Sequence, residues 1–412
     1  MNRRRDIYSL RISPDLLWNL SLFVYLCVMF AHQRETAVDT VLRYGSLAFV
    51  IAAGVFSYRL QDHKRSGIKL KLGKFELWLT ALLVLGGLSS FWSIDSGNVF
   101  RALFNLVRIS IVCFCVYPHL NSRKALNRLL LLMLGALTYM QLILLVRTPA
   151  SSWGTERIGA VINQNSNEIG RLTCLGSLLC LYFMGQYKRL RIPLTGLFCL
   201  FAAGALLTGS RSAVLILLFQ TALYYFLVSG NLKRILAAAG MAAAVYLLFL
   251  FLRNNEALYN LIGIRMEHLF QFFTGSSKGD GSIRERLYFM ESAWNLFLSH
   301  PVLGIGLNNF SVYLSSIGYG NAVYSHCGFL EILSTLGITG FLIYYSMYAG
   351  VIRRLLRPAF RKDMLAALLL VINLRVLIFE ISSISMFTYI TYITLMLGLA
   401  YTGIRKRRGG VK

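Results

Sequence analysis

Long apolar blocks separated by short polar segments run along the whole chain. A helix needs about 20 apolar residues to cross the hydrocarbon core of a bilayer. The blocks show no strict alternation, and their Leu-, Ala- and Phe-rich runs satisfy their own backbone hydrogen bonds only as helices. The pattern therefore predicts an all-α, polytopic membrane protein with twelve spanning helices, near residues 16–31, 41–58, 75–92, 99–117, 126–146, 168–185, 192–209, 212–229, 234–252, 325–350, 364–380 and 384–403.

The positions of the basic residues orient these predicted spans. Cytoplasmic loops of membrane proteins are enriched in Lys and Arg. Of the 42 Lys and Arg residues, 28 lie in one set of alternate segments and ten in the other. The richer set comprises the N-terminus, residues 59–74, 118–128, 186–191, 230–234 and 351–363, and the C-terminal tail. Both termini are therefore predicted to be cytoplasmic, with an uncleaved first span because no small-residue cleavage site follows the N-terminal arginines.

The same blocks divide the chain into three parts. Residues 1–252 hold nine predicted spans, with a short outer loop over residues 147–167. Residues 253–324 form a second outer loop that is far longer than a simple connection needs. Residues 325–412 hold the last three predicted spans and a basic cytoplasmic tail.

The long outer loop contains a helical pattern. Ser282 is followed three residues later by Glu285, which is typical of a capping box. Apolar residues then recur at helical spacing, namely Leu287, Met290, Trp294 and Phe297. We expect an amphipathic helix here, lying either in the interface at the outer face of the membrane or on the bundle of spans.

Composition and charge exclude several classes of function. Only 14% of the residues are charged, against about 25% in soluble domains. The net charge is +25, and the basic residues that produce it lie in short clusters between the apolar blocks. This charge therefore indicates the topology of the spans and gives no reason to expect a nucleic-acid partner. The seven cysteines and six histidines show no metal-site spacing, so we expect neither a metal nor another cofactor. Gly304-Ile305-Gly306 follows no strand, so it predicts a tight turn with close backbone approach, not a phosphate loop.

Ionisable residues inside the predicted spans mark a candidate site, because their burial costs about 2.5–3.5 kcal/mol on insertion scales. All lie at or above the midplane towards the outer face; they are Arg101, Arg108, Glu168, Arg171, Arg211, Glu331, Arg375 and Glu380. Arginines outnumber carboxylates in this set, and guanidinium groups suit phosphate oxygens. We therefore expect an outward-facing site for an anionic ligand. The alternative for Arg171 with Glu168, and for Arg375 with Glu380, is that they are structural pairs that hold helices together.

Four sequence blocks contain polar and charged residues of this kind. The first is Arg157-Ile158-Gly159 followed by Asn163, Asn165, Asn167 and Glu168, and the second is Thr208-Gly209-Ser210-Arg211-Ser212-Ala213. The third holds Arg284, Arg286 and Trp294 and ends in His300-Pro301-Val302-Leu303-Gly304-Ile305-Gly306-Leu307-Asn308-Asn309-Phe310. The fourth is Ser325-His326-Cys327-Gly328-Phe329-Leu330-Glu331, then Gly337-Ile338-Thr339-Gly340-Phe341. Together they resemble the O-antigen ligase and O-antigen polymerase superfamily, which usually has Pro in place of Ser166 and Asn in place of Cys327.

The resemblance implies a membrane glycosyltransferase of the GT-C type. In such an enzyme an acceptor hydroxyl attacks the anomeric carbon of a glycan linked to undecaprenyl pyrophosphate, and the configuration is inverted without a metal. The implied catalytic residues are Arg211 and Arg286, which would stabilise the departing pyrophosphate, and His326, which would orient or deprotonate the hydroxyl. Substrate binding is expected from Arg157, Arg284, Asn165, Asn167, Glu168, Arg101, Arg108 and Glu331.

These expectations place the reaction at the outer face of the bacterial cytoplasmic membrane. The expected partners are the bilayer, the lipid-linked donor, a glycan acceptor, and a flippase and chain-length regulator. A polymerase that extends lipid-linked repeats is preferred, and a ligase that transfers glycan to lipid A core or another surface acceptor is the alternative. A polysaccharide flippase would belong to a different class, but transporters often have repeated halves with polar residues at the midplane, and this sequence shows no such repeat.

Overall fold

A computed structural model describes residues 14–62, 73–152, 156–230, 240, 254–256, 259–275, 281–320 and 324–409. Over these residues the chain forms α-helices and short helical turns, and no β-strand. The α-helices are α1 (Pro14–Ala31), α2 (Ala37–Asp62), α3 (Lys74–Leu88), α4 (Ser96–Val116), α5 (Arg123–Arg147), α6 (Ser166–Gln186), α7 (Arg191–Leu207), α8 (Arg211–Val228), α9 (Ile264–Phe273), α10 (Gly281–Ser299), α11 (Phe310–Ser316), α12 (Gly328–Phe360), α13 (Met364–Glu380) and α14 (Tyr389–Gly409). The all-α class is confirmed.

Seven candidate spans in the described part of the chain are long and apolar enough to cross a membrane. They are Ala37–Ser57, Lys74–Phe91, Ser96–His119, Arg123–Arg147, Lys188–Leu207, Arg211–Val228 and Gly328–Phe360. A shorter apolar stretch covers Asp15–Ala31. All of the predicted span over 234–252 except residue 240 lies outside the described residues, and the count of twelve stays a prediction. Seven apolar helices of this length make the chain an integral membrane protein.

Two helices, α6 and α13, occupy the centre of the bundle. Every residue from Ile169 to Phe183 in α6 is buried, and so are most residues of α13. Because both helices are buried on all sides, other helices and not lipid surround them. The centre is therefore a protein core, and the lipid-facing surface belongs to the helices around it.

Helix α12 is kinked at Gly337, where the backbone has φ +64°. The loop after α10 packs against this kink: Ile338 donates its N–H to Pro301 O at 2.8 Å, and Gly306 donates its N–H to Thr335 O at 2.9 Å. A Cβ on Gly304 would lie 2.3 Å from the Thr335 carbonyl carbon, so no larger residue fits there. The sequence-based interpretation of Gly304-Ile305-Gly306 as a tight turn with close backbone approach is confirmed.

The amphipathic helix of the long loop is present as α10, but the side that packs differs from the predicted one. Its buried residues are Ile283, Phe289, Ala293 and Leu296, and it packs on α12. Leu287 and Trp294, which the sequence assigned to the apolar face, are 43% and 45% exposed. α10 also begins at Gly281, so Ser282 lies inside the helix and not at its N-cap. The apolar face toward the bundle was misassigned because both sides of this helix carry large apolar residues.

Candidate functional site

The candidate site begins at the turn that joins α7 to α8. Gly209 adopts φ +59°, and the Ser210 hydroxyl caps α8 by accepting the Ala213 N–H at 3.4 Å. This cap fixes the first turn of α8, where Arg211 is the first helical residue. A positive side chain at a helix N-terminus is unfavourable by itself, so the position of Arg211 there favours a role in binding an anion.

Arg157 ties this turn to the start of α6. Its Nε donates to Thr208 O at 3.0 Å, and its Nη2 donates to Asn167 Oδ1 at 3.0 Å. Asn165 caps α6, since its side chain accepts the Asn167 N–H at 2.9 Å. The first two sequence blocks therefore meet in space, and Arg157 holds them together.

Four arginines from four different segments gather beside this turn. Burial, with the charges of Arg265, Arg286 and Arg211 in that order, lowers the pKa of Arg157 to about 10. Arg211 Nη1 also donates to Arg265 O at 3.4 Å. Arg265 lies on α9 and Arg286 on α10, so the long loop supplies half of the cluster. Positive charges gathered in this way repel one another, and a bound anion with several acceptor oxygens would relieve that repulsion.

Arg265 is a member of this arginine cluster that sequence reasoning missed. It lies between the second and third blocks, in a stretch that matched no part of the resemblance. The only available signal was that α9 carries a basic residue on the side of the membrane where basic residues are scarce. That signal applied equally to several other arginines of the loop.

His326 lies next to the cluster, in the loop that precedes α12. It has φ +56°, and its ring is stacked near Phe289 at 6.0 Å and tilted against Tyr324 at 4.2 Å between centroids. Burial, followed by the charge of Arg286, lowers the pKa of His326 to about 4. The imidazole is therefore neutral at physiological pH, and it can accept a proton.

The unusual backbone of His326 is held by its neighbours in the chain. Ser325 donates its N–H to Glu331 Oε2 at 2.8 Å, and its hydroxyl donates to Cys327 O at 2.8 Å. Gly328 donates its N–H to Ser383 O at 3.1 Å. Glu331 is only 5% exposed and holds the loop that presents His326, and its expected contact with substrate stays a prediction.

This anchoring role of Glu331 gives a first prediction. Glu331→Leu removes the acceptor of the Ser325 N–H and should destabilise the protein by about 1–3 kcal/mol, because a buried donor is left unpaired. Turnover should fall, while the KM for the donor stays unchanged because the arginines are intact. Glu331→Gln keeps a carbonyl oxygen and should behave like the wild type in thermal unfolding and turnover. An equal loss in both variants would show that the negative charge itself is required.

A cavity of about 260 Å³ lies between the Asn165–Glu168 segment and the His326 loop; it is lined by Asn165, Asn167, Glu168, Asn308, Tyr324, Ser383, Ile384 and Phe387. It therefore borders both Asn167, which Arg157 holds, and Tyr324, which contacts His326. The accessible lining of this cavity is mainly apolar, with amides and a carboxylate at its polar positions. An aromatic and aliphatic surface beside a few hydrogen-bonding groups suits a sugar.

One of the two structural pairs considered from the sequence is present. Arg171 is 1% exposed and bonds through Nη2 to the Glu168 carboxylate at 2.5 Å. Arg375 instead donates to Arg171 O at 2.6 Å, while Glu380 accepts from the Tyr345 hydroxyl at 2.8 Å and from Ser385. The described contacts therefore show Glu168 paired with Arg171, and Glu380 bonded to hydroxyls and not to Arg375.

Three of the expected substrate-binding arginines show no contact with the cluster among the described contacts, and their role in substrate binding stays a prediction. The Arg101 side chain is 75% exposed and sits 3.8 Å from Asp95, a partner that the sequence argument overlooked. Arg108 bonds to Asn105 Oδ1 at 2.8 Å on α4. Arg284 is exposed on α10, and the charges that shift the pKa values of Arg157 and His326 do not include it. Arg284 and Arg286 are two residues apart, and residues at that spacing on a helix point in different directions. Their spacing in the sequence therefore does not show which of them faces the cluster.

The pH behaviour of His326 gives a second prediction. Because its pKa lies below the ordinary 6.5, the neutral form persists as the pH falls and is lost only near pH 4. Arg286→Gln removes a positive neighbour and should move the midpoint upwards, though burial keeps it below 6.5. The ¹³C shift of the labelled ring, assigned by its loss in His326→Gln, measures the midpoint. A wild-type midpoint near 6.5 would contradict the described environment.

Comparison with known proteins agrees with this architecture. The apolar helices define an integral membrane protein, and four arginines and a histidine from separate segments meet in its candidate site. A family model described as O-antigen ligase matches residues 196–345, which include Arg211, Arg265, Arg286 and His326. This match confirms the resemblance drawn from the sequence blocks: residues 196–345 are similar to the O-antigen ligase family. A search of curated proteins gave no match.

Proposed function

We propose that this protein transfers or polymerises glycans carried on undecaprenyl pyrophosphate, at the outer face of the bacterial cytoplasmic membrane. The observation that carries the proposal is the arginine cluster of Arg157, Arg211, Arg265 and Arg286 beside a neutral His326. The arginine cluster is suited to bind a pyrophosphate, and His326 is suited to accept the proton of a hydroxyl. Both kinds of partner are needed in one site for transfer of a glycan from a lipid carrier.

The arginine cluster would stabilise the leaving group. As the bond between the anomeric carbon and the pyrophosphate breaks, the electron pair stays with the pyrophosphate oxygen and its negative charge rises. Guanidinium groups held in place by other contacts stabilise that charge without reorganising. Arg157 is held in this way by Thr208 and Asn167, and we assign Arg211 and Arg286 to the phosphate oxygens themselves.

His326 would act on the acceptor. The acceptor hydroxyl forms the new bond to the anomeric carbon from the face opposite the pyrophosphate, and its proton passes to the neutral imidazole. A bound pyrophosphate offsets the charge of Arg286, so it raises the pKa of His326 and makes the ring a better base. The attack opposite the leaving group inverts the configuration. The cavity lined by Asn165, Asn167 and Glu168 supports a sugar-binding role for these residues.

The test is transfer by the purified full-length protein in chelator, given a synthetic oligosaccharide on undecaprenyl pyrophosphate. A polymerase releases undecaprenyl pyrophosphate and forms longer lipid-linked chains from this substrate alone. A ligase releases it only when a lipid A core or other surface acceptor is added. Movement of the intact donor across a vesicle membrane, without a new glycosidic bond, would instead identify a flippase.

Orientation in the membrane gives a third prediction. If the site faces outwards, single cysteines placed over residues 281–300 should react with an impermeant maleimide added to intact cells. Cysteines placed over residues 351–363 should react only after the membrane is permeabilised, because the basic loops stay inside. The parent chain needs its native cysteines replaced first. The reverse pattern would place the arginine cluster in the cytoplasm and overturn the proposed donor.

A further inference from the structure

A second cavity lies at the opposite end of the bundle from the arginine cluster. Its volume is about 220 Å³, and it opens between the start of α1, the end of α4 and the start of α5. Asp15 and Asn19 line it from α1, and Lys124 and Arg128 line it from α5. In each pair the residues are four apart and share a helix face. The cavity therefore places a carboxylate opposite two cations.

His119, between α4 and α5, adds an acceptor to this cavity. Its ring is stacked on Trp18 at 4.3 Å between centroids, and both residues line the cavity. The His119 Nδ1 lies 3.0 Å from Cys115 O, and a carbonyl oxygen can only accept, so the proton is on Nδ1. Nε2 then carries a lone pair, and within the described residues this buried atom has no hydrogen-bond partner. A ligand that reaches this atom would satisfy it by offering a donor.

The position of the cavity across the membrane indicates that its ligand is a lipid. The apolar span Ser96–His119 ends at it, the span Arg123–Arg147 begins at it, and the apolar stretch Asp15–Ala31 starts at it. Three helices thus leave the apolar zone at this level, which is where phospholipid headgroups lie. In the predicted orientation this is the cytoplasmic face.

From this arrangement we propose that the cavity binds the headgroup of a zwitterionic aminophospholipid, with ethanolamine phosphate as the recognised group. Lys124 and Arg128 bind the phosphate. Asp15 and the Nε2 of His119 accept hydrogen bonds from the ammonium group. A purely anionic headgroup satisfies the two cations but meets the repulsion of Asp15, so the site distinguishes phosphatidylethanolamine from phosphatidylglycerol.

Native mass spectrometry of the full chain in detergent tests this inference, with phosphatidylethanolamine and phosphatidylglycerol of matched acyl chains as probes. The wild type should retain more phosphatidylethanolamine. Arg128→Gln should weaken its retention about tenfold, as expected for loss of one charge-assisted contact. Asp15→Asn should remove the preference over phosphatidylglycerol. His119→Phe keeps the stacking on Trp18 and should still weaken retention of phosphatidylethanolamine.

Arg189→Gln is the matched control, because Arg189 is an exposed basic residue at the same end and does not line the cavity. Its lipid retention should equal that of the wild type. Equal retention of both lipids by the wild type, or equal retention by Arg128→Gln and Arg189→Gln, would overturn the proposal. Displacement of the lipid by soluble glycerophosphoethanolamine at similar concentration would overturn the membrane source, since binding would then need no bilayer.

Discussion

Arg286→Lys should lower glycan transfer by about 10²–10³-fold, the loss typical of removing one preorganised group that stabilises transition-state charge. Lysine keeps the positive charge but loses the planar fork that grips two phosphate oxygens. Arg286 acts on both Arg157 and His326, so its position relative to donor and acceptor matters. Initial rates of undecaprenyl pyrophosphate release measure the effect.

Arg284→Lys is the matched control for this prediction. Arg284 lies two residues away on the same helix and is exposed, so its replacement should change the rate less than twofold, as expected of a solvated surface charge. The two variants carry the same chemical change in the same helix. Equal losses in both would show that α10 needs its basic residues for folding or membrane contact and not for the chemistry.

His326→Ala should lower transfer by about 10²–10⁴-fold, the usual contribution of a positioned general base. The loss should appear in kcat, because no phosphate contact is removed and the arginine cluster remains. His326→Gln fills the space beside Phe289 and Tyr324 and should be similarly inactive. The single-turnover rate with saturating donor and acceptor measures the chemical step. A His326→Gln variant with near wild-type turnover would show that the ring only fills space.

Most of the fold could be predicted from the sequence because apolar length and helix geometry are local properties. The blocks gave the helical class and the positions of most helices, as α5 and α8 illustrate. The kink at Gly337 was not predicted, since it depends on the loop near Pro301 donating and accepting across the break. The packing face of α10 was also misassigned, because hydropathy does not say which apolar face meets protein.

The site was predicted in part, where motifs marked residues that converge. Arg157, Arg211 and Arg286 meet as the resemblance implied, beside His326. Arg265 was missed because it belongs to no motif. The expected contact of Glu331 with substrate stays a prediction, but its bond to Ser325 was not foreseen; a buried carboxylate one turn into a helix can reach back to the loop before it.

Charge inside a predicted span and the sequence motifs lead to different residues. Arg101 and Arg108 were chosen for their depth in the sequence, yet one is exposed beside Asp95 and the other bonds within its own helix. Their role in substrate binding stays a prediction, and the Nε of Arg108 is buried without a hydrogen-bond partner among the described residues. The position of a charged residue along its span does not show which segments of the chain meet in space, as several segments do at the turn Thr208–Ser210.

The most direct test of the central claim is a titration of detergent-folded variants with undecaprenyl pyrophosphate. Arg211→Lys and His326→Ala are compared with the wild type after both are shown to insert and accumulate normally. The arginine assignment predicts that Arg211→Lys binds at least about tenfold more weakly, through loss of paired phosphate contacts, and that His326→Ala binds like the wild type. Equal affinity in Arg211→Lys and the wild type would contradict the assignment of this cluster to the pyrophosphate.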